Sequence, residues 1–103
     1  MSNFEFSAEA ALEALRRVVD PELAWNIVDL GLVYRVEKVA GRIEVDISLT
    51  YPGCPAEDLI REDTESILRW AFGEEPLVSV VWSPLWGPER MSEEARVSLG
   101  YPI

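Results

Sequence analysis

The chain has 103 residues, a length that fits one domain around a single hydrophobic core. It carries 19 acidic and 9 basic residues, for a net charge of −10, and 49% of its residues are hydrophobic. This composition is typical of a globular protein, and the negative charge disfavours binding to nucleic acid or to an anionic membrane. We therefore expect residues 1–103 to form one domain that binds neither.

The cysteine count and the hydropathy indicate the cellular compartment. A single cysteine, Cys54, excludes an internal disulfide framework, which fits a reducing cytosol. No apolar run approaches the ~20 residues of a membrane-spanning helix. Residues 1–9 lack the basic and apolar regions of a signal peptide. We expect a cytoplasmic protein.

The hydrophobic pattern predicts an α+β fold with the element order αββαβα. Ser7 is placed to cap a first helix, whose apolar stripe continues to Val19. Asp20-Pro21 ends this helix, because the residue before a proline avoids helical geometry.

Two alternating segments, residues 32–37 and 42–49, predict a β-hairpin with its turn at Ala40-Gly41. The second strand alternates regularly, and one face of the hairpin is polar. We therefore expect a small, mainly antiparallel three-stranded sheet with helices packed on one face. The inward residues of the second strand are Ile43, Val45, Ile47 and Leu49.

A second helix is predicted after the hairpin. Pro55 suits the first helical position, which makes Cys54 the N-cap, and Gly73 is a natural terminator. The remaining predicted elements are a strand at residues 77–82, a proline-rich loop at 83–88 and a short helix from Ser92 to Gly100.

Cys54 is the only soft nucleophile or soft metal ligand of the chain, because there is no histidine. Backbone amides at a helix N-terminus lower the pKa of a thiol, whereas Glu57 and Asp58 in the same turn oppose that effect. We therefore predict a modest depression of the Cys54 pKa at most. A half-buried small hydrophobe in a turn fits the position equally well.

The usual uses of a thiol are incomplete here. A cysteine hydrolase needs a base, usually histidine, and dithiol exchange needs a second cysteine. Zinc or an iron–sulfur cluster needs several thiolate or imidazole ligands. An autonomous enzyme is therefore not expected. One Cys54 per subunit can instead contribute to a labile cluster shared across a homodimer or with a client protein.

Asp20, Glu22 and Asp29 lie within ten residues of one another and form a second candidate group. Paired carboxylates can bind hard cations or perform acid–base work. Structural roles explain them as well, since Asp20 ends a helix and Asp29 can hydrogen-bond its own turn. Thr50, at the end of the hairpin, can bond a carboxylate or the Cys54 loop.

Trp82 and Trp86 flank prolines in the loop that precedes the last helix. Two interpretations are open. The tryptophans form an exposed docking surface, or they close one end of the core.

Three segments of the chain resemble the DUF59-type iron–sulfur assembly family. That family includes SufT-like and PaaD-like proteins and the eukaryotic cytosolic iron–sulfur assembly component of the same domain. The order of the three segments and the extent of the resemblance, from about Ala8 to Tyr101, make it specific. The segments are Asp20-Pro21-Glu22 with residues 26–34, residues 50–55 with Gly53-Cys54-Pro55, and residues 82–86 with residues 91–100.

The resemblance implies a non-enzymatic factor that assembles iron–sulfur clusters or transfers them to client proteins through an open site at Cys54. Its partners would be carrier or client proteins, and its cofactor a labile cluster for which Cys54 is a candidate shared ligand. The alternative is an assembly subunit of a multicomponent oxygenase of the phenylacetyl-CoA type, with Cys54 structural. The family's functional positions fall on Asp20, Glu22, Asp29, Thr50 and Cys54.

Two further points bear on this choice. PaaD-like members usually continue into a cysteine-rich tail, which these 103 residues do not contain, and this favours the SufT-like type. A thiol-dependent enzyme is a third hypothesis, against which a Cys54 pKa near the ordinary ~8.5 would argue.

Overall fold

The structure is a computed structural model that describes residues 5–101. The two ends of the predicted domain, residues 1–4 and 102–103, lie outside the described residues. It confirms the predicted α+β class. No helix of residues 5–101 has the length and apolar character needed to cross a membrane. The elements are α1 (Ala8–Leu15), β1 (Val19–Asp20), β2 (Trp25–Asn26), β3 (Val33–Val39), β4 (Arg42–Ile47), α2 (Glu57–Phe72), β5 (Leu77–Val80) and α3 (Glu93–Leu99), with a 3-10 turn at Pro88–Arg90.

The main sheet has the strand order β3-β4-β5. β3 and β4 form the predicted antiparallel hairpin, and its turn residues Ala40 and Gly41 have φ of 51° and 82°. These positive angles match the right-handed twist of a two-residue hairpin. β5 then joins β4 in parallel, with Val45 opposite Val78, because α2 carries the chain back between the two strands.

The core lies between this sheet and the helices. Ile43, Val45 and Ile47 are fully buried, which confirms the predicted inward face of β4. α2 packs against α1 and β5 and buries Ile60 among other apolar residues. Thr64 is also buried in α2, and its hydroxyl donates to the Ile60 carbonyl at 2.7 Å, so no polar atom of it is left unpaired.

The N-termini of α1 and α3 and the C-termini of α2 and α3 follow the predicted capping residues. The Ser7 hydroxyl accepts a hydrogen bond from the Ala10 amide at the start of α1. Gly73 ends α2 in the left-handed conformation, with φ of 71°. The last helix is bounded in the same way, by a Ser92 side-chain cap and a left-handed Gly100.

The prediction that the first helix continues to Val19 is wrong. α1 ends at Leu15, and Val19 pairs with Asn26 in a short antiparallel ribbon formed by β1 and β2. Val19 is 45% exposed, whereas the adjacent Asp20 is fully buried. Val19 and Asp20 pair with β2 instead of extending the helix, because the turn at residues 21–24 brings the two strands together.

The alternation predicted for the first hairpin strand is interrupted by a β-bulge. Val33 lies opposite Ile47 and Arg35 lies opposite Asp46, so Tyr34 is the extra residue on this strand. Val33 therefore packs against the core, as does Val36 of the same strand. Tyr34 falls outside the two-residue alternation of the strand.

Candidate functional site

The turn between β1 and β2 positions the first acidic pair. Asp20 is fully buried, and its Oδ1 accepts hydrogen bonds from the Glu22 amide at 2.8 Å and the Leu23 amide at 3.3 Å. An aspartate that binds amides two and three residues ahead stabilises a tight turn. Asp20 thereby fixes the backbone from which the Glu22 side chain projects.

Cys54 lies in the loop between β4 and α2. The prediction that it is the N-cap of α2 is wrong, because residues 55 and 56 form a turn and Ala56 is the capping residue. The Cys54 carbonyl accepts a hydrogen bond from the Glu57 amide at 3.1 Å. Its thiol therefore precedes the helix rather than capping it, and the backbone amide of Ala56 lowers the pKa of the thiol.

The structure brings Glu22 and Cys54 together. The Cys54 thiol donates to Glu22 Oε1, with 3.5 Å between Sγ and the oxygen. The Tyr51 hydroxyl donates to the same carboxylate, at 3.0 Å to Oε2 and 3.2 Å to Oε1. Cys54 is only 4% exposed, whereas Tyr51 is 44% exposed and Glu22 also lies at the surface. The thiol is thus less open than expected from the sequence, and it contacts the carboxylate of Glu22.

The ionisation of Cys54 differs from the prediction. Burial raises the pKa of the thiol, and the carboxylates of Glu22 and Asp20 raise it further, while the Ala56 amide lowers it in part. The predicted modest depression is therefore wrong in direction. The hydrogen bond to Glu22 also raises the pKa of Tyr51 to about 12. Both groups hold their protons at neutral pH.

The second oxygen of Asp20 completes the site. Asp20 Oδ2 is buried and has no hydrogen-bond partner among the described residues. Buried polar atoms without a partner are rare in proteins because leaving one unpaired is costly. The site thus combines the Cys54 thiol, the surface carboxylate of Glu22 and the unpaired, buried Oδ2 of Asp20. Together these groups favour a cationic ligand. In residues 5–101 no group of three or more His, Cys, Asp or Glu side chains is arranged to hold a metal ion.

Asp29 has a separate structural environment. Its carboxylate accepts hydrogen bonds from Asn26 Nδ2 at 2.8 Å and Arg16 Nη1 at 2.9 Å. Burial opposes ionisation of Asp29, but the hydrogen bonds to Asn26 and Arg16, the charge of Arg16 and a contact with Ser92 together outweigh it, so the pKa of Asp29 is lowered. None of these partners belongs to the group of Asp20, Glu22 and Cys54. The functional role expected for Asp29 stays a prediction.

The other predicted residues are also placed. Thr50 is partly buried, and its side chain makes no hydrogen bond within residues 5–101. Trp86 is half-buried, and its indole nitrogen donates to the Leu30 carbonyl at 2.7 Å. Trp82 packs against the core as well, so the docking surface expected at the two tryptophans stays a prediction.

Tyr51 is the site residue that the sequence analysis missed. It lies 29 positions from Glu22, and no periodicity or turn chemistry links residues so far apart. The available signal was its place inside the segment 50–55 that resembles the family. A phenol in such a segment can donate to a carboxylate elsewhere in the fold.

Comparison with known proteins identifies the family. Residues 8–80 match the model of a family described as iron-sulfur cluster assembly protein. An Fe-S protein maturation auxiliary factor from Porphyromonas gingivalis is 39% identical over an alignment of 103 positions. This alignment covers 96% of this chain and 98% of the relative. The Fe-S protein maturation auxiliary factor SufT from Staphylococcus aureus is 40% identical over 85 residues, 81% of this chain and 97% of that protein.

A solved structure agrees with these sequence matches. The crystal structure of a DUF59 domain of unknown function from Bacillus anthracis superposes with a TM-score of 0.83 at 35% identity. The alignment covers 91% of this chain and 92% of that one. The resemblance noted from the sequence is therefore confirmed, and the chain belongs to the DUF59 family of iron–sulfur cluster assembly proteins.

Proposed function

We propose that this chain is a non-enzymatic auxiliary factor that helps iron–sulfur proteins to mature in the cytoplasm. Its family and the names of its relatives support this role. The observation that carries the proposal is the placement of the only thiol, Cys54, beside Glu22 and Asp20. The cargo is an iron–sulfur cluster or its iron.

The chemistry of the site favours transfer over catalysis. The chain has no histidine, and the raised pKa of Cys54 keeps the thiol protonated at neutral pH. A protonated thiol is a weak nucleophile. A cluster held by one thiolate per chain needs further ligands from a second copy, a carrier or a client. Such a cluster is easily released, which suits transfer.

The proposal is tested by maturation of an apo iron–sulfur client under anaerobic conditions. Ferrous iron, sulfide and a thiol reductant are supplied, and the absorbance of the client's cluster is followed with and without this chain. We expect the wild-type chain to accelerate maturation and Cys54→Ser to abolish the acceleration. Glu57→Gln, which removes a nearby carboxylate outside the site, serves as the matched control. Equal acceleration by Cys54→Ser and wild type would refute a function at Cys54.

A second candidate function is an assembly adaptor for an oxygenase or a similar complex, in which Cys54 is structural. The 4% exposure of Cys54 and its place among the buried core residues favour this alternative. In that case Cys54→Ala retains full activity in client assembly, because alanine preserves a small apolar side chain. Co-purification of oxygenase subunits with both wild type and Cys54→Ala would support the adaptor. Loss of co-purification in Cys54→Ala would argue against it.

A further inference from the structure

We infer that Cys54 and Glu22 together bind one thiophilic divalent metal ion, as a thiolate–carboxylate chelate. The inference rests on the proposed function for the identity of the cargo, ferrous iron, but not for the geometry of the site. In this chelate Glu22 is a direct metal ligand and not only a neighbour of the thiol.

The distance between the two donor atoms supports chelation. Cys54 Sγ and Glu22 Oε1 lie 3.5 Å apart. Metal–sulfur bonds of ~2.3 Å and metal–oxygen bonds of ~2.1 Å, set at a tetrahedral angle, separate sulfur and oxygen by about 3.6 Å. One ion can therefore bind both atoms while neither side chain moves far from its observed position.

The existing hydrogen bond marks where the ion would lie. The thiol proton now bridges Sγ and Oε1, and the metal would replace it between the same two atoms. On binding, the S–H bond of Cys54 breaks, its electron pair forms the bond to the metal, and the proton leaves to solvent. No atom changes its oxidation state in this step.

Tyr51 orients the carboxylate for this role. Its hydroxyl lies 3.0 Å from Glu22 Oε2, the oxygen that does not contact the thiol, and 3.2 Å from Oε1. A hydrogen bond to the other oxygen of a ligating carboxylate holds the carboxylate in position and commonly contributes to metal affinity. Tyr51 is therefore a positioning residue, and a metal at Oε1 would leave its shorter hydrogen bond, the one to Oε2, in place.

Asp20 is the independent observation that points to a cation. The side chain is fully buried, and its Oδ2 has no partner among the described residues. Asp20 also fixes the turn that carries Glu22, because its Oδ1 accepts a hydrogen bond from the Glu22 amide at 2.8 Å. None of the ion pairs within residues 5–101 involves Asp20 or Glu22. A metal ion at Cys54 and Glu22 would supply the missing positive charge.

The chelate provides half of a coordination shell. Within the described part of the chain no three His, Cys, Asp or Glu side chains are arranged to hold a metal. Two protein ligands leave two positions of a tetrahedral ion open to water, sulfide or a partner's ligand. This incomplete shell fits cargo that must be passed on.

The inference is tested by anaerobic titration of the full chain with Co²⁺ alone, which reports thiolate ligation through a near-ultraviolet charge-transfer band. We expect the wild type to saturate at one ion per chain, and Cys54→Ser to lack the band. Glu22→Gln should weaken binding at least about tenfold, since even residues outside the direct shell contribute ten- to a hundredfold. Glu57→Gln, the charge-matched control, should change affinity less than about twofold, because a half-exposed charge outside the shell is largely screened by the solvent.

A second variant separates ligation from charge. Glu22→His removes the negative charge but supplies a nitrogen ligand, so it should bind Co²⁺ at least tenfold more tightly than Glu22→Gln. Thermal unfolding of each variant checks that the fold is intact. Equal affinities for Glu22→Gln and Glu57→Gln, or for Glu22→His and Glu22→Gln, would overturn the inference.

The outcomes for the chelate and for the proposed function are distinct. If Glu22→Gln binds Co²⁺ normally while Cys54→Ser still abolishes client maturation, the chelate is wrong and the function stands. If Co²⁺ binding depends on Glu22 while Cys54→Ser supports maturation, the metal site is supported and the function at Cys54 is wrong.

Discussion

The thiol of Cys54 and the carboxylate of Glu22 form a hydrogen bond with 3.5 Å between sulfur and oxygen, although 32 residues separate them in the chain. The contact joins the β1–β2 turn to the loop before α2. It places a negative charge next to the only cysteine, and this charge adds to the larger effect of burial in raising the pKa of Cys54. The proposed metal chelate depends on this contact, because it brings the two donor atoms together.

We expect the alkylation rate of Cys54 to rise with pH around a midpoint above the ordinary thiol value of ~8.5, because burial and two carboxylates raise its pKa. Glu22→Gln should lower this midpoint, since it removes a negative charge that disfavours the thiolate. Iodoacetamide kinetics as a function of pH measure it, with Glu57→Gln as control. A midpoint at or below 8.5 in the wild type would contradict the assigned environment.

The same shift affects stability at alkaline pH. The folded state holds the Cys54 proton more tightly than the unfolded state does, because the folded pKa is the higher one. The contribution is fully present below the unfolded pKa of ~8.5 and is lost as the pH rises through the folded pKa. Cys54→Ala should therefore reduce the decline of the unfolding free energy above about pH 8.5, as measured by urea denaturation.

Asp20→Ala should destabilise the fold by about 1–3 kcal/mol, because the part-buried amides of Glu22 and Leu23 lose their acceptor. Asp63→Ala, at an exposed position of α2, should change the unfolding free energy by less than about 0.5 kcal/mol. Urea denaturation measures both. Equal effects of the two substitutions would show that the Asp20 turn contributes little to stability.

The ion pair between Asp29 and Arg16 should contribute to stability above acidic pH. The pKa of Asp29 is lowered in the folded state, so its contribution is present above the unfolded value of ~3.9 and is lost as the pH falls through the folded pKa. A double-mutant cycle with Asp29→Asn and Arg16→Met should give a coupling of about 0.5–1 kcal/mol at pH 7. The coupling should vanish near pH 2, and a coupling unchanged by acid would contradict the pair.

Gly31→Ala should be much more damaging than Gly41→Ala, although both glycines have positive φ, +77° and +82°. A left-handed conformation costs a non-glycine residue about 1–2 kcal/mol at either position. At Gly31 a Cβ would also collide with the backbone carbonyl of Arg90, whereas no atom lies within 4 Å at Gly41. We expect an additional loss of about 1–3 kcal/mol at Gly31, measured by thermal or urea unfolding. Similar losses at both positions would exclude a tight contact at Gly31.

Local patterns in the sequence predicted much of the fold. The inward residues of β4, the Ala40-Gly41 turn and the caps at Ser7 and Ser92 were all found where expected. Each of these features depends on residues two to four positions apart, whose chemistry acts on their own backbone. The first helix was predicted too long because its apolar stripe continues into β1, and only pairing with β2 separates the two.

The sequence by itself therefore determined the α+β class, the family and the position of the single thiol. The tertiary structure decided what surrounds that thiol: Glu22 from the β1–β2 turn, Tyr51 from its own loop, and the buried charge of Asp20. It also reversed the expected direction of the pKa shift, because burial and distant carboxylates outweigh the single Ala56 amide. Such effects depend on which segments pack together, and residues 32 positions apart carry no local pattern that reveals it.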